Sequence, residues 1–296
     1  MTVSKYEEIE RHIDSFPSLP ATVTQVLSVI GNPESSVQDL IQAILPDQSM
    51  CVAILKIANS ALYGRSEKVS SLEKAIMVLG FNEVQNIVLG KSVVTAFGTI
   101  CKKNKPVIDQ FWDHSFTCGL AAKTIAEHLG LSSPGQFFVG GLIHDIGKLA
   151  MLLTFPDQYL PSSWLAGFSS EEKLLEERQT FTISHDEVGS HLLKRWHFPE
   201  SLLSAIEYHH APDDAPKHKG FPLLIQLADI LAFLCCNQDF LADRDLFTTI
   251  PLYLPKFEKL WCEQNLPWDS YTLEAWFAWI KIDHSHGSAI MSILSS

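Results

Sequence analysis

Apolar residues recur at three- and four-residue spacing along most of the chain, and period-two alternation is scarce, so the pattern predicts helices almost throughout. Ser18-Leu19-Pro20 reads as a cap and first turn for a helix over residues 21–30, stopped by Gly31-Asn32-Pro33. Ser36 followed by Asp39 has the spacing of a capping box for 37–44, and Ser70 followed by Glu73 the same for 72–79. Gly80 then stands where a left-handed C-terminal residue is wanted. Further helices are predicted over 49–60, 83–97, 109–129, 136–153, 184–196, 199–209 and 222–235. Two polar, proline-bearing stretches, 102–106 and 211–220, read as connections. The expected fold is all-α: a front helical lobe over 1–105, a second helical lobe over 106–238, and a Trp-rich helical extension over 239–296.

Composition narrows the class. With 296 residues, 46% hydrophobic and 19% charged, the chain can bury a sizeable core and is not built for long disorder. Its formal net charge of -12, with no basic run longer than Lys102-Lys103, argues against nucleic acid as a partner, because phosphate neutralisation supplies most of that affinity. The most apolar stretch, 221–236, is broken by Gln226 and Asp229 and falls short of the roughly 20 residues that span a bilayer. Residues 1–14 are polar, so the expectation is a cytoplasmic protein with no membrane partner. None of the six cysteines forms a Cys-x-x-Cys pair, which reads as buried free thiols rather than a thiolate zinc site. Trp261, Trp268, Trp276 and Trp279 crowd the tail and either pack onto the domain or present a docking surface.

The candidate chemistry centres on Gly141-Leu142-Ile143-His144-Asp145-Ile146-Gly147-Lys148. A carboxylate in so apolar a stretch is costly unless it is paired or holds a cation. Lys148 lies three residues after Asp145 on the same helical face, so an Asp145–Lys148 pair beside a core histidine competes with metal binding by His144 and Asp145. Other residues tilt the balance. His114, His185, His209, His210 and Asp229 fall on four further predicted helices, and a bundle can bring such residues to one centre. Each has a plainer reading: a half-buried ring for His114, a surface residue for His185, a helix-end cation for His210. Imidazole and carboxylate without thiolate suit Fe, Mn, Zn, Ni or Co alike. The run Asp283-His284-Ser285-His286 also carries ligand types but reads first as a solvated tail.

Through His114, His144-Asp145 and Asp229 the chain resembles the HD superfamily, in which such residues lie on separate helices. His185, His209 and His210 look like the additional histidines of its dinuclear members, such as the HD-GYP phosphodiesterases. The resemblance to the HDOD family is closer and covers roughly residues 10–235. It is carried by Leu19-Pro20, by Leu55-Lys56-Ile57-Ala58-Asn59-Ser60-Ala61-Leu62-Tyr63-Gly64, by Val69-Ser70-Ser71-Leu72-Glu73-Lys74-Ala75-Ile76, and by Val78-Leu79-Gly80-Phe81. It implies an HD-domain-like bundle with an N-terminal helical lobe, and a signalling output module in which many members have lost the metal ligands. This chain keeps the set, but Ala211-Pro212-Asp213 follows the paired histidines where HD-GYP proteins have Gly-Tyr-Pro, and Gln110 stands where a third-metal carboxylate is expected.

The expected function is therefore a signal-transduction module with signalling proteins as partners and a retained site for one or two divalent transition metals. The alternative is a metal-dependent phosphohydrolase acting on a nucleotide or cyclic dinucleotide. Metal ligands are expected at His114, His144, Asp145, His185, His209, His210 and Asp229. If the centre is active, Asp145 and Lys148 are its catalytic residues, Lys148 holding a substrate phosphate or the attacking water.

Overall fold

The computed structural model describes residues 5–16, 19–30, 32, 34–60, 68–98, 105–159, 171–237, 241 and 245–295, and these contain helices and no strand. In chain order the helices are α1 (Lys5–Ser15), α2 (Ala21–Ile30), α3 (Val37–Ile44), α4 (Gln48–Ala58), α5 (Leu72–Leu79), α6 (Phe81–Gly98), α7 (Lys105–His128), α8 (Pro134–Ile143) and α9 (Ile146–Thr154). They continue with α10 (Glu171–Phe181), α11 (His185–Arg195), α12 (Glu200–Tyr208), a 3-10 turn at Pro212–Asp214, α13 (Gly220–Cys236), α14 (Leu246–Tyr253), α15 (Phe257–Glu263) and α16 (Ser270–Ser295). The all-α expectation holds.

The chain forms two compact units, Met1–Phe16 with Lys103–Ser285, and Pro17–Lys102 with His286–Ser296. In the second unit the serine caps act as the spacing predicts, with one shift, while Gly80 ends α5 at a positive φ of 88° but with ψ 158°, outside the left-handed helical region. Ser36 and Asp39 close a capping box on α3. The cap of α5 is Ser71, whose hydroxyl accepts from the Lys74 amide, and not Ser70. Ser71 is the residue immediately before the first helical position, where the side chain reaches the free amides. Asn59 caps α4 and binds the returning chain: its side-chain amide donates to the Leu55 and Val69 carbonyls and its Oδ1 accepts from the Val69 amide at 2.8 Å. The Ala61 to Gly64 end of the Ala-Asn-Ser stretch, Ser18, Gly31, Pro33 and most of the 102–106 connection lie outside the described residues.

In the first unit α7 lies along α8 and α13, and α11 packs on α9 and α12. α13 is buried almost end to end, from Phe221 to Cys235, which places Asp229 deep in an apolar core. Residues Pro134–Thr154 are long and apolar enough to cross a membrane, but 83% of that window is buried inside the protein. The tail tryptophans divide. Trp261 stacks on Phe257 and donates to the Pro267 carbonyl, and Trp276 is buried with it, whereas Trp279 is half exposed.

Candidate metal centre

The apolar pattern predicts one helix over 136–153, and the structure breaks it at the chemistry. His144 is the C-cap of α8 and Asp145, with φ -97° and ψ 10°, leaves helical geometry and becomes the N-cap of α9. The break turns both side chains inward from one dipeptide. Other helix ends do the same. A Ser184–Glu187 capping box starts α11 with His185 as its first residue, and His209 caps the end of α12 with His210 just beyond. His114 from the middle of α7 and Asp229 from the middle of α13 complete the ring.

All seven side chains expected as ligands come together. They form two groups, His114–His144–Asp229 and Asp145–His185–His209–His210, within each of which the ligand atoms lie within 4.8 Å of one another. Asp229 Oδ1 is 3.1 Å from His114 Nε2 and 3.7 Å from His144 Nε2. Asp145 joins the groups: Oδ2 is 3.3 Å from His144 Nε2, while Oδ1 is 3.1 Å from His185 Nε2 and 3.7 Å from His209 Nε2. Lys148 takes the remaining approach, with Nζ 2.5 Å from Asp145 Oδ2. The ion pair and the ligand cluster, rivals on the sequence, therefore coexist.

Backbone contacts fix which ring nitrogen faces the centre. His144 Nδ1 donates to the Gly141 carbonyl at 2.8 Å and His209 Nδ1 to the Ile206 carbonyl at 2.6 Å, which leaves the lone pair of each neutral ring on Nε2. Those Nε2 atoms and Asp145 Oδ1 are buried with no hydrogen-bond partner. Buried polar atoms are normally satisfied, and three orphans pointing at one another fit a cation with imidazole and carboxylate donors.

Electrostatics favour the ligating form at two of the rings. Burial lowers the basicity of His209 and, more strongly, of His210, where the neighbouring rings His209 and His185 add to it, so both are neutral, the form that ligates. Burial opposes ionisation of Asp145 and Asp229 too, but His144 and Lys148 around Asp145, and His114 and His144 around Asp229, hold both carboxyls well below their usual range. In the metal-free protein His144 is raised: burial pulls it down, and Asp145 and the other acidic neighbours more than reverse that.

Glu177 and Tyr159 complete the support and were not signalled by the sequence. Glu177 Oε2 accepts from both the backbone amide and Nδ1 of His185, at 2.9 and 2.8 Å, and Tyr159 donates to Oε1 at 2.6 Å. Glu177 lies on the acid-rich α10, where one ordered carboxylate looks like any solvated one. Burial works against both charges, but the pairing drives Glu177 down to about 2 and His185 up to about 9. The sign follows. His185 contributes stability in full below its usual 6.5, lost as pH rises through about 9; Glu177 contributes above its usual 4.5, lost as pH falls through about 2. The two describe one pair, of about 3 kcal/mol in the metal-free protein. Glu177→Gln is expected to bring the His185 titration, followed by imidazole NMR, down from about 9 by two units or more. The variant's loss in denaturant stability should be largest near pH 6 and vanish near pH 10. A His185 titration left near 9 would contradict this.

Known proteins share the fold. The chain is 23% identical over 270 residues to an uncharacterized protein of Treponema pallidum (strain Nichols), an alignment covering 91% of this chain and 51% of that protein. It thus spans about half the length of the curated relatives it matches. A crystal structure of a candidate phosphohydrolase from Shewanella amazonensis SB2B superposes with a TM-score of 0.73 at 21% identity, covering 97% of this chain and 98% of that one. One of a candidate signal transduction protein from Marinobacter aquaeolei VT8 gives 0.72 at 19% identity, covering 99% and 66%. At such identities the likeness is one of fold. A model of the HDOD domain matches residues 16–212, more than half of the chain and every ligand group but Asp229; the chain belongs to the HDOD family.

Proposed function

We propose that the first unit is a dinuclear metal centre that hydrolyses a phosphoester of the nucleotide class. The observation that supports this most is the pair of ligand groups joined through one carboxylate, Asp145, with unsatisfied Nε2 atoms in both. Two divalent ions held by these groups would supply an activated water and positive charge for a phosphoryl oxygen. His114, His144 and Asp229 would hold one ion, His185, His209 and His210 the other, and Asp145 both. Lys148, buried and charged beside Asp145, directs its ammonium at the same centre, where it can steady a phosphate oxygen. His114 and His210 are the least buried ligands, so the mouth of the centre opens beside them.

A second reading keeps the module purely regulatory, with the metal as a structural clamp and signalling proteins as partners. HDOD family membership and the fold shared with a candidate signal transduction protein support it. Metal analysis of the purified protein, followed by assays on mono-, di- and cyclic nucleotides, separates the two. The hydrolase reading expects about two ions per chain and turnover that drops at least tenfold in Lys148→Gln with metal content unchanged. Two ions and no turnover on any of these phosphoesters would leave the regulatory reading standing.

A further inference from the structure

A second cluster of ligand types lies away from the centre. Asp113 on α7, Cys236 at the end of α13 and His284 on α16 offer ligand atoms within 4.8 Å of one another. Three helices distant in sequence bring a carboxylate, a thiol and an imidazole to one spot on the surface of the first unit. Asp113 and Cys236 are exposed and His284 half-buried, so an ion can enter from solvent. Neither the ring of seven ligands nor the HDOD match includes Cys236 or His284.

An independent contact holds the imidazole in place. The Thr117 hydroxyl donates its single proton to the Asp113 carbonyl at 2.7 Å. Its oxygen also lies 2.8 Å from His284 Nδ1, a hydrogen bond that orients the ring. The same threonine thus ties the ring to the helix turn that carries Asp113. The thiol is poised differently: although the residue reaches solvent, the atoms packed around its sulfur, then Asp113 and Cys235, push Cys236 up to about 12, so it stays protonated until something replaces its proton.

We infer that Asp113, Cys236 and His284 form a zinc site separate from the histidine-rich centre. Thiolate, imidazole and carboxylate together suit zinc, and three protein ligands leave a fourth position for water. Tetrahedral zinc has bonds of about 2.0–2.3 Å, and side-chain rotation at the surface can bring donors that lie within 4.8 Å of one another to that geometry. On binding, the Cys236 S–H bond breaks, an S–Zn bond forms, and one proton leaves to solvent. The ion would pin α16 to α7 and α13 within the first unit.

Cobalt separates this site from the other, because the seven-ligand centre contains no thiolate. Full-length protein titrated with Co²⁺ is expected to develop a near-ultraviolet thiolate-to-cobalt band. Cys236→Ser should abolish that band, and Asp113→Asn and His284→Gln should weaken cobalt binding there at least tenfold, while the d–d absorption of the histidine-rich centre remains. In the wild type, Zn²⁺ should slow alkylation of Cys236, read by peptide mass spectrometry, at least tenfold relative to Cys262, a reading that needs no variant. No thiolate band in the wild type, a band that survives Cys236→Ser, or alkylation of Cys236 indifferent to zinc would each overturn the inference.

Discussion

Asp145→Asn is expected to strip the histidine-rich centre of metal and to abolish phosphoester turnover. The oxygens of Asp145 approach both ligand groups, His144 on one side and His185 and His209 on the other. Changing a residue that merely orients a ligand costs about 10–100-fold in affinity. Removing a shared ligand should exceed that, so both ions are lost together rather than one. A second effect runs through Lys148. Asp145 and Lys148 are both buried, and taking away one partner of a buried pair leaves an uncompensated charge, at about 3–5 kcal/mol. Asp145→Ala should therefore also destabilise the metal-free protein by that order, while Asn, which keeps an acceptor oxygen, should cost less. Adding Lys148→Met to Asp145→Ala removes the stranded charge and should restore most of the lost stability without restoring metal. Metal content by elemental analysis, turnover, and urea denaturation of the metal-free forms read the three effects separately. Two bound ions in Asp145→Asn would show that the carboxylate does not join the groups, and a double variant as unstable as Asp145→Ala would show that Lys148 is not the strained partner.

What could be read from the residues, and what could not, divides along physical lines. Helix existence was legible because burial is periodic: the cap at Ser36 and the apolar length of α13 are local signals, and the structure uses them as written. The identity of the converging residues was legible too, since Asp229 in an apolar helix and His144-Asp145 in an apolar stretch are costly without a partner. The break between α8 and α9 was not. Its apolar positions continue straight through residues 136–153, and neither a Pro nor a side-chain cap bond marks the interruption at His144-Asp145. Glu177 escaped for a different reason. One carboxylate in an acid-rich helix carries no local mark of being the one that His185 reaches. His284 likewise read as a solvated tail because its partners, Thr117 and Cys236, lie far away in the chain.

The glycine between Asp145 and Lys148 carries the other large expected effect. Gly147→Ala should disrupt the packing of α9 on α11 and with it the His185 side of the centre. A Cβ built on Gly147 would lie 1.8 Å from the His185 carbonyl oxygen, 2.7 Å from the Gly189 amide nitrogen and 2.8 Å from the His185 carbonyl carbon. All three are backbone atoms of α11, so no side chain can swing aside; the helices themselves must separate. Overpacking a core by one methyl costs typically about 1–3 kcal/mol when side chains can adjust, and here they cannot, so the loss should reach the top of that range or pass it. The displacement also has a chemical consequence. Asp145 sits two residues before Gly147, and the clash is with His185 itself, so any separation lengthens the 3.1 Å approach of His185 to Asp145. Metal affinity of the Asp145–His185–His209–His210 group should fall at least tenfold in protein that remains folded. Gly220→Ala is the matched control: its Cβ would meet nothing nearer than the Gln264 side-chain oxygen at 3.8 Å, so the substitution should be neutral or stabilising by up to about 1 kcal/mol. Denaturant midpoints and metal titrations of the two variants side by side decide the matter. A Gly147→Ala protein as stable as Gly220→Ala and binding two ions as tightly as the wild type would mean that α9 and α11 do not meet as closely as their backbones indicate.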